Sequence, residues 1–252
     1  GGYSRPIPPA HDRVPRAAAT CAECHTPGTP ARDLVKVIKT YADDETSTES
    51  ATSLTLPMAS VHWHARSDVI VEFAASDEAL EDIPYIQVRA GGGPVTEYFA
   101  EGITARPAGP LRRMDCLDCH NRPAHGMTTG AAEAVDQAMA AGEISRALPF
   151  AKREVAAAVS AEYATPAAAE VEIARRLSLS LGTGRDALGA VAAAQRLYRQ
   201  NVFPTMNITW GTYKSQIGHA ASLGCFRCHD DTRKSRDGRV VRQDCELCHR
   251  LD

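Results

Sequence analysis

The chain has 252 residues, a formal net charge of −3 and 44% hydrophobic residues. Its basic residues are scattered and no basic run is interleaved with aromatics, so it carries no nucleic-acid footprint, and no window approaches the roughly 18 consecutive apolar residues of a membrane span. Alanine inflates the hydrophobic count: Leu, Ile, Val and Phe together number 46, about 18% of the chain and below the usual level for a well-packed core.

Residues 1–20 read as an extended arm. Pro6, Pro8, Pro9 and Pro15 favour polyproline-like backbone and disfavour helix, and the arm carries one imidazole, His11. Cys21-x-x-Cys24-His25 follows. Beyond it, Leu34, Val37, Ile38 and Tyr41 recur at helical spacing and predict a short helix. Residues 42–53, acidic and hydroxyl-rich, predict a solvated loop. In His62-Trp63-His64, extended backbone would point residues i and i+2 to the same side. The β signal lies within 68–99: Val69, Val71 and Phe73 alternate, and the runs 83–89 and 94–99 flank Gly91-Gly92-Gly93, a hairpin pattern.

A second Cys-x-x-Cys-His comprises Cys116, Cys119 and His120, with His125 five residues further on. Residues 130–200 hold no cysteine or histidine and predict three or four alanine-rich helices. Ile173, Leu177 and Leu181 share one face. Thr165-Pro166 offers a cap and an N1 proline, Gly182 a stop, and Thr183-x-x-Asp186 a cap for the next helix. The last fifty residues carry His219 and two further motifs, Cys225/Cys228/His229 and Cys245/Cys248/His249.

The four motifs use all eight cysteines. Their spacing is that of c-type haem attachment: two thiols separated by two residues bond the vinyl groups on one porphyrin edge, and the adjacent imidazole lies under the iron. Competing readings are weaker. Cys228 and Cys245 fall within zinc-ribbon spacing, but a four-cysteine zinc site needs no trailing histidine and the other two pairs have no nearby partner. Redox dithiols and a disulfide framework also leave the histidines idle.

Four haem c groups are therefore the expected cofactors, attached through Cys21, Cys24, Cys116, Cys119, Cys225, Cys228, Cys245 and Cys248. The expected fold is mainly α, with much irregular haem-wrapping loop and one small β-hairpin. Its parts are an arm at 1–20, a segment at 21–126 for the first two haems with the hairpin at 68–99, a haem-free helical block at 127–201 that packs around haems, spaces them or docks a partner, and a segment at 202–252 for the last two. Haem would replace the missing side-chain core, so the apoprotein is expected to be largely unfolded.

His25, His120, His229 and His249 are the proximal ligands, and the distal ligand decides between electron carrier and enzyme. Nine histidines leave His11, His62, His64, His125 and His219 for four distal positions. Met58, Met114, Met127 and Met206 compete as ligands but read as packing. Trp63 and Trp210 suit porphyrin faces or core, and Arg112-Arg113 and Arg233-Lys234 suit propionates or solvent. Full bis-histidine ligation predicts electron transfer without catalysis and assigns no catalytic residue; the alternative is a multihaem reductase with one open haem. Thioether attachment happens outside the bacterial cytoplasm, so a periplasmic or extracellular location is expected, with a signal or anchor upstream. Gly1-Gly2-Tyr3-Ser4 suits a mature N-terminus.

The stretch from Met114 through Cys116, Cys119 and His120 to His125, and that from Gly218-His219 through Gly224 to His229, resemble tetrahaem cytochromes of the NapC/NirT type and their soluble relatives. The likeness is carried by residues 111–126 and 218–249. It implies bis-histidine haems packed in a chain, in a periplasmic protein passing electrons from a quinol pool to a terminal acceptor, with His125 and His219 as distal ligands. It also implies an alternative, the periplasmic subunit of a quinol-oxidising complex. The chain departs from that family in having no membrane helix and a longer helical block. The proline-rich arm ending in His11 also resembles filament-forming tetrahaem cytochromes, in which an N-terminal histidine ligates a haem of the next subunit. The expected partners are other redox proteins and further copies of this chain.

Overall fold

The structure, a computed structural model, describes residues 2–8, 20–21, 24–25, 32–122 and 126–251. Among them are five α-helices and eight strands in two sheets, 32% helical and 18% strand. The mainly α expectation is overturned, because the apolar residues of the first half are largely β-branched or aromatic. The clearest case is β1, Leu34–Tyr41. Its apolar residues match helical spacing, yet Val35, Val37, Ile38 and Thr40 prefer extended backbone. The loop expected at 42–53 is present over 42–48, and β2, Glu49–Leu56, takes its last five residues. A short helix α1, Met58–Val61, precedes the His-Trp-His segment.

The chain divides into two compact units. The first comprises Gly1–Pro8, Val37–Ser53 and Ala124–Lys214; the second comprises Pro9–Lys36, Leu54–Pro123 and Ser215–Asp252.

The first unit is built on α2 (Ala131–Ala140), α3 (Ala151–Ser160), α4 (Pro166–Leu181) and α5 (Arg185–Asn201). α4 starts where the Thr165 hydroxyl accepts the Ala168 amide at 3.1 Å and stops at Gly182, whose φ of +85° suits glycine. α5 departs from its expected cap: Gly184, not Thr183, precedes the helix, and no side chain caps it. Twenty-three buried residues form one cluster, ten of them alanines, with Val155, Val159, Ile173, Leu177 and Leu197 between them. Small side chains allow the helix axes to approach closely. Lys152 is buried there, its ammonium donating to the Ala132 carbonyl and pairing with Asp136, which also accepts the Tyr41 amide. The charge is thus paired and hydrogen-bonded, as burial demands. Trp210 donates to the Val159 carbonyl and packs on this core.

The second unit holds an antiparallel sheet in the order β6-β3-β4-β5-β7. Its strands are β3 (Val69–Ala74), β4 (Tyr85–Ala90), β5 (Thr96–Phe99), β6 (Arg112–Arg113) and β7 (Lys234–Ser235). β3 and β4 pair from Val69↔Ala90 to Ala74↔Tyr85, and β4 and β5 pair across the glycine run. Val69, Val71, Phe73, Ile83 and Ile86 form the buried cluster, with Trp63, Met114 and Cys228 packed against it. β6 leads directly into the second cysteine motif and β7 follows the third. β8 (Arg250–Leu251) pairs with β2 just after the fourth motif.

Candidate haem-binding site

All four motifs share one backbone geometry. The first cysteine's carbonyl accepts both the second cysteine's amide and the histidine's amide. The distances are 3.2 and 2.8 Å for Cys21, 3.3 and 2.7 Å for Cys116, 3.2 and 3.0 Å for Cys225, and 3.1 and 3.1 Å for Cys245. Such a turn puts residues i and i+3 on one face, so each pair of thiols faces the same way beside its imidazole. None of the eight cysteines is in a disulfide.

Local chemistry fixes each turn. Asp115 caps the second motif by accepting the Leu117 amide at 3.1 Å, and Asp118 reaches back to the Asp115 amide at 2.7 Å. Asp118 is 1% exposed and receives the Arg112 guanidinium at 2.6 Å, tying the turn to β6. Asp244 caps the fourth motif through the Glu246 amide. The third has Gly224 in that place, at φ +48°. A side chain there would overlap the Gly218 carbonyl, which accepts the Cys225 amide at 3.2 Å. Only glycine allows this approach.

Three non-motif histidines each face a motif histidine. His62 and His120 rings are parallel within 6°, with centroids 6.3 Å apart. His64 and His229 are 5.9 Å apart, edge to face. His219 and His249 are 6.0 Å apart and tilted by 33°. His62 and His64 diverge because the segment is not extended: His62 ends α1 and a 3-10 turn spans Trp63–Ala65. In a helical turn, residues i and i+2 do not share a face. The condition for both to point to one side, an extended segment, is therefore not met. His219, six residues before Cys225, faces the fourth motif rather than the third, its ring stacked on Phe226 at 4.5 Å.

These spacings test whether a haem iron fits. A metal–imidazole bond is about 2 Å and the ring centroid lies about 1 Å further, so two axial imidazoles place their centroids about 6 Å apart. The three pairs meet that requirement. Ring orientation agrees with it: His62 Nδ1 lies 3.1 Å from the Met58 carbonyl and His229 Nδ1 lies 2.9 Å from the Arg242 carbonyl. With Nδ1 donating, Nε2 presents its lone pair to a metal. His249 Nδ1 is buried and has no hydrogen-bond partner among the described residues. Among those residues, no cluster of three or more His, Cys, Asp or Glu is arranged to hold a metal ion by itself. A porphyrin would supply the remaining ligands of an iron held between two such imidazoles.

The motifs also adjoin one another. Cys21 bears electrostatically on Cys116, Cys119 on both Cys225 and Cys228, and Cys225 on Cys248. His25 bears on His120 in the same way. The thiols of Cys225 and Cys248 hydrogen-bond each other, drawing Cys225 down to about 6 and pushing Cys248 up. Burial pushes Cys119 and Cys228 up to about 11. Burial lowers the His64 and His120 imidazoles, assisted by His229 and by His62 respectively, which favours the neutral, metal-ligating form.

Other expected ligands fall differently. His11 and His125 lie outside the described residues. Met114 packs on the sheet cluster, and Met206 accepts a hydrogen bond from Tyr3 in the first unit. Arg112 and Arg233 are paired with Asp118 and Asp230. The sequence reading did not single out Gly224, Asp118 or Arg227. The glycine where two other motifs have aspartate was the available signal for Gly224; nothing marked the other two. Among the described residues no helix is long and apolar enough to cross a membrane.

Four identical attachment turns and opposed imidazoles are features of c-type cytochromes. The comparisons with known proteins support that class and, with it, haem c and a role in electron transfer. The chain is 30% identical over 271 aligned positions to the cytochrome c-type protein ImcH of Geobacter sulfurreducens, across 99% of this chain and 53% of that protein. It thus spans about half the length of the curated relative it matches. No family model and no solved structure matches it.

Proposed function

We propose that this chain is an extracytoplasmic electron carrier with four haem c groups, each held between two imidazoles. The single observation that carries this reading is the set of three imidazole pairs at 6.3, 5.9 and 6.0 Å, each joining a motif histidine to another histidine. On this reading His62 serves the second motif's haem, His64 the third and His219 the fourth. His11 and His125 remain for the position opposite His25.

Haem bound there would supply a one-electron couple. The motif cysteines would hold it, and the imidazole pairs His62 with His120, His64 with His229 and His219 with His249 would hold the iron and exclude a small substrate from it. Motif-to-motif proximity supports a single order, first to fourth, along which electrons pass. The second unit's apolar cluster borders this path at Cys228, Trp63 and Met114.

His219→Ala tests the assignment. The native reduced protein is expected to resist carbon monoxide and show only low-spin signals. The variant should bind carbon monoxide at one haem in four and gain one high-spin signal. Binding at most haems of the native protein overturns the reading and favours a reductase with open iron.

A further inference from the structure

Arg227 lies between the two cysteines of the third motif and is 5% exposed. Its guanidinium donates in three directions: Nε to the Gly224 carbonyl at 2.9 Å, Nη1 to the Leu80 carbonyl at 3.0 Å and Nη2 to the Asp118 carbonyl at 2.6 Å. Gly224 opens the third attachment turn, Asp118 lies inside the second, and Leu80 belongs to the connection between β3 and β4. One side chain therefore holds two attachment turns to the sheet and to each other.

All three acceptors are neutral carbonyl oxygens. The buried Arg233 is paired with Asp230, and Arg112 with Asp118. Among the described residues no ion pair includes Arg227. Arginine does not lose its proton, and a buried charge without a counter-charge is strongly disfavoured. Such a charge favours any neighbouring group that gains negative charge. Arg227 directly precedes Cys228 of the third motif, and it donates to the carbonyl of Asp118, the residue before Cys119 of the second; these two cysteines are the attachment points of two adjacent haems.

We propose that Arg227 is a positioning residue for the second and third haems: it fixes the separation of their attachment turns, and its charge, which pairs with no carboxylate among the described residues, favours the reduced state of that pair. The inference rests on the haem reading of the motifs. The equilibrium concerned is the gain of one electron by a haem iron, with no bond made or broken. A nearby positive charge lowers the free energy of the form that holds the extra electron, so those two haems are easier to reduce with Arg227 in place than without it.

The test uses the full haem-loaded chain with Arg227→Gln and Arg227→Lys. Haem content and axial spectrum are measured first, then a redox titration with dithionite and ferricyanide. Arg227→Gln is expected to keep four low-spin haems and to shift the reduction equilibrium of two of them at least tenfold toward the oxidised form, about 59 mV for a one-electron couple. Arg227→Lys, which keeps the charge, should shift them less than half as far on that scale. Superimposable titrations of Arg227→Gln and native protein overturn the proposal, as does an equal shift in both variants. Loss of haem from both variants also overturns it, because Arg227 would then serve folding alone. A native protein lacking haem would instead bring down the attachment reading, a separate and earlier result.

Discussion

The two units solve the problem of an interior in opposite ways. Among the described residues the helical unit buries 23 side chains in one cluster, and it holds none of the eight cysteines. The unit that carries every motif has, among its described residues, a buried cluster of five. The scarcity of Leu, Ile, Val and Phe is thus an average over two different arrangements. In the first unit, alanines on four helices close the core by proximity rather than bulk. In the second, the sheet supplies a small apolar floor and the porphyrins must supply the remaining apolar surface. The expectation that the apoprotein is largely unfolded is thereby sharpened: the loss of structure without haem is expected to fall on the second unit.

Haem removal tests that contrast most severely. The full chain produced without haem attachment should keep the helical circular dichroism and protease resistance of the first unit, while the second is cut rapidly. A single uniform loss of both would break the comparison. Ile173→Ala sharpens it from the other side. Ile173 is fully buried in the helical cluster, and the change should cost about 2–5 kcal/mol of that unit's stability in urea unfolding. The haem absorption should stay native, because no motif residue belongs to that core.

What the sequence reveals follows how local the physics is. The four motifs were legible in full, since a turn five residues long fixes its own chemistry. The bounds of α4 were legible because Thr165, Pro166 and Gly182 act on their immediate neighbours. β1 was misread because Leu34, Val37, Ile38 and Tyr41 satisfy helical spacing while the chain between them is β-branched. The runs at 83–89 and 94–99 gave away the β4–β5 pair, but β6 and β7, two residues each, gave no signal of a five-stranded sheet. The spare histidines were legible as candidates. Their partners were not, because His64 and His229 meet only through the fold. Arg227 occupies a position the motif leaves open.

Thr165→Ala is a smaller probe of the helical unit. Removing the hydroxyl that accepts the Ala168 amide should lower that unit's stability by about 1 kcal/mol. Urea unfolding followed by circular dichroism would show it. An unchanged midpoint would mean that Pro166 alone sets the start of α4.

The smallest expected effect separates the units by pH. Glu172 on α4 accepts from Arg175 at 2.6 and 2.7 Å and from Arg176 at 3.0 Å. These guanidinium bonds, Arg175 first, hold its carboxyl down at about 2 against an ordinary 4.5. A carboxyl lowered in the folded state favours folding while it is ionised. That contribution is complete above the ordinary value and disappears as pH falls from about 4.5 toward 2. The group is partly exposed, so solvent and salt screen it and the effect is slight. Glu172→Gln should flatten the fall in the helical unit's melting temperature across that window, and the difference should vanish in concentrated salt. Haem absorption should be indifferent to the substitution at every pH. A variant whose haem spectrum moved with its helix melting would show that the two interiors are not independent.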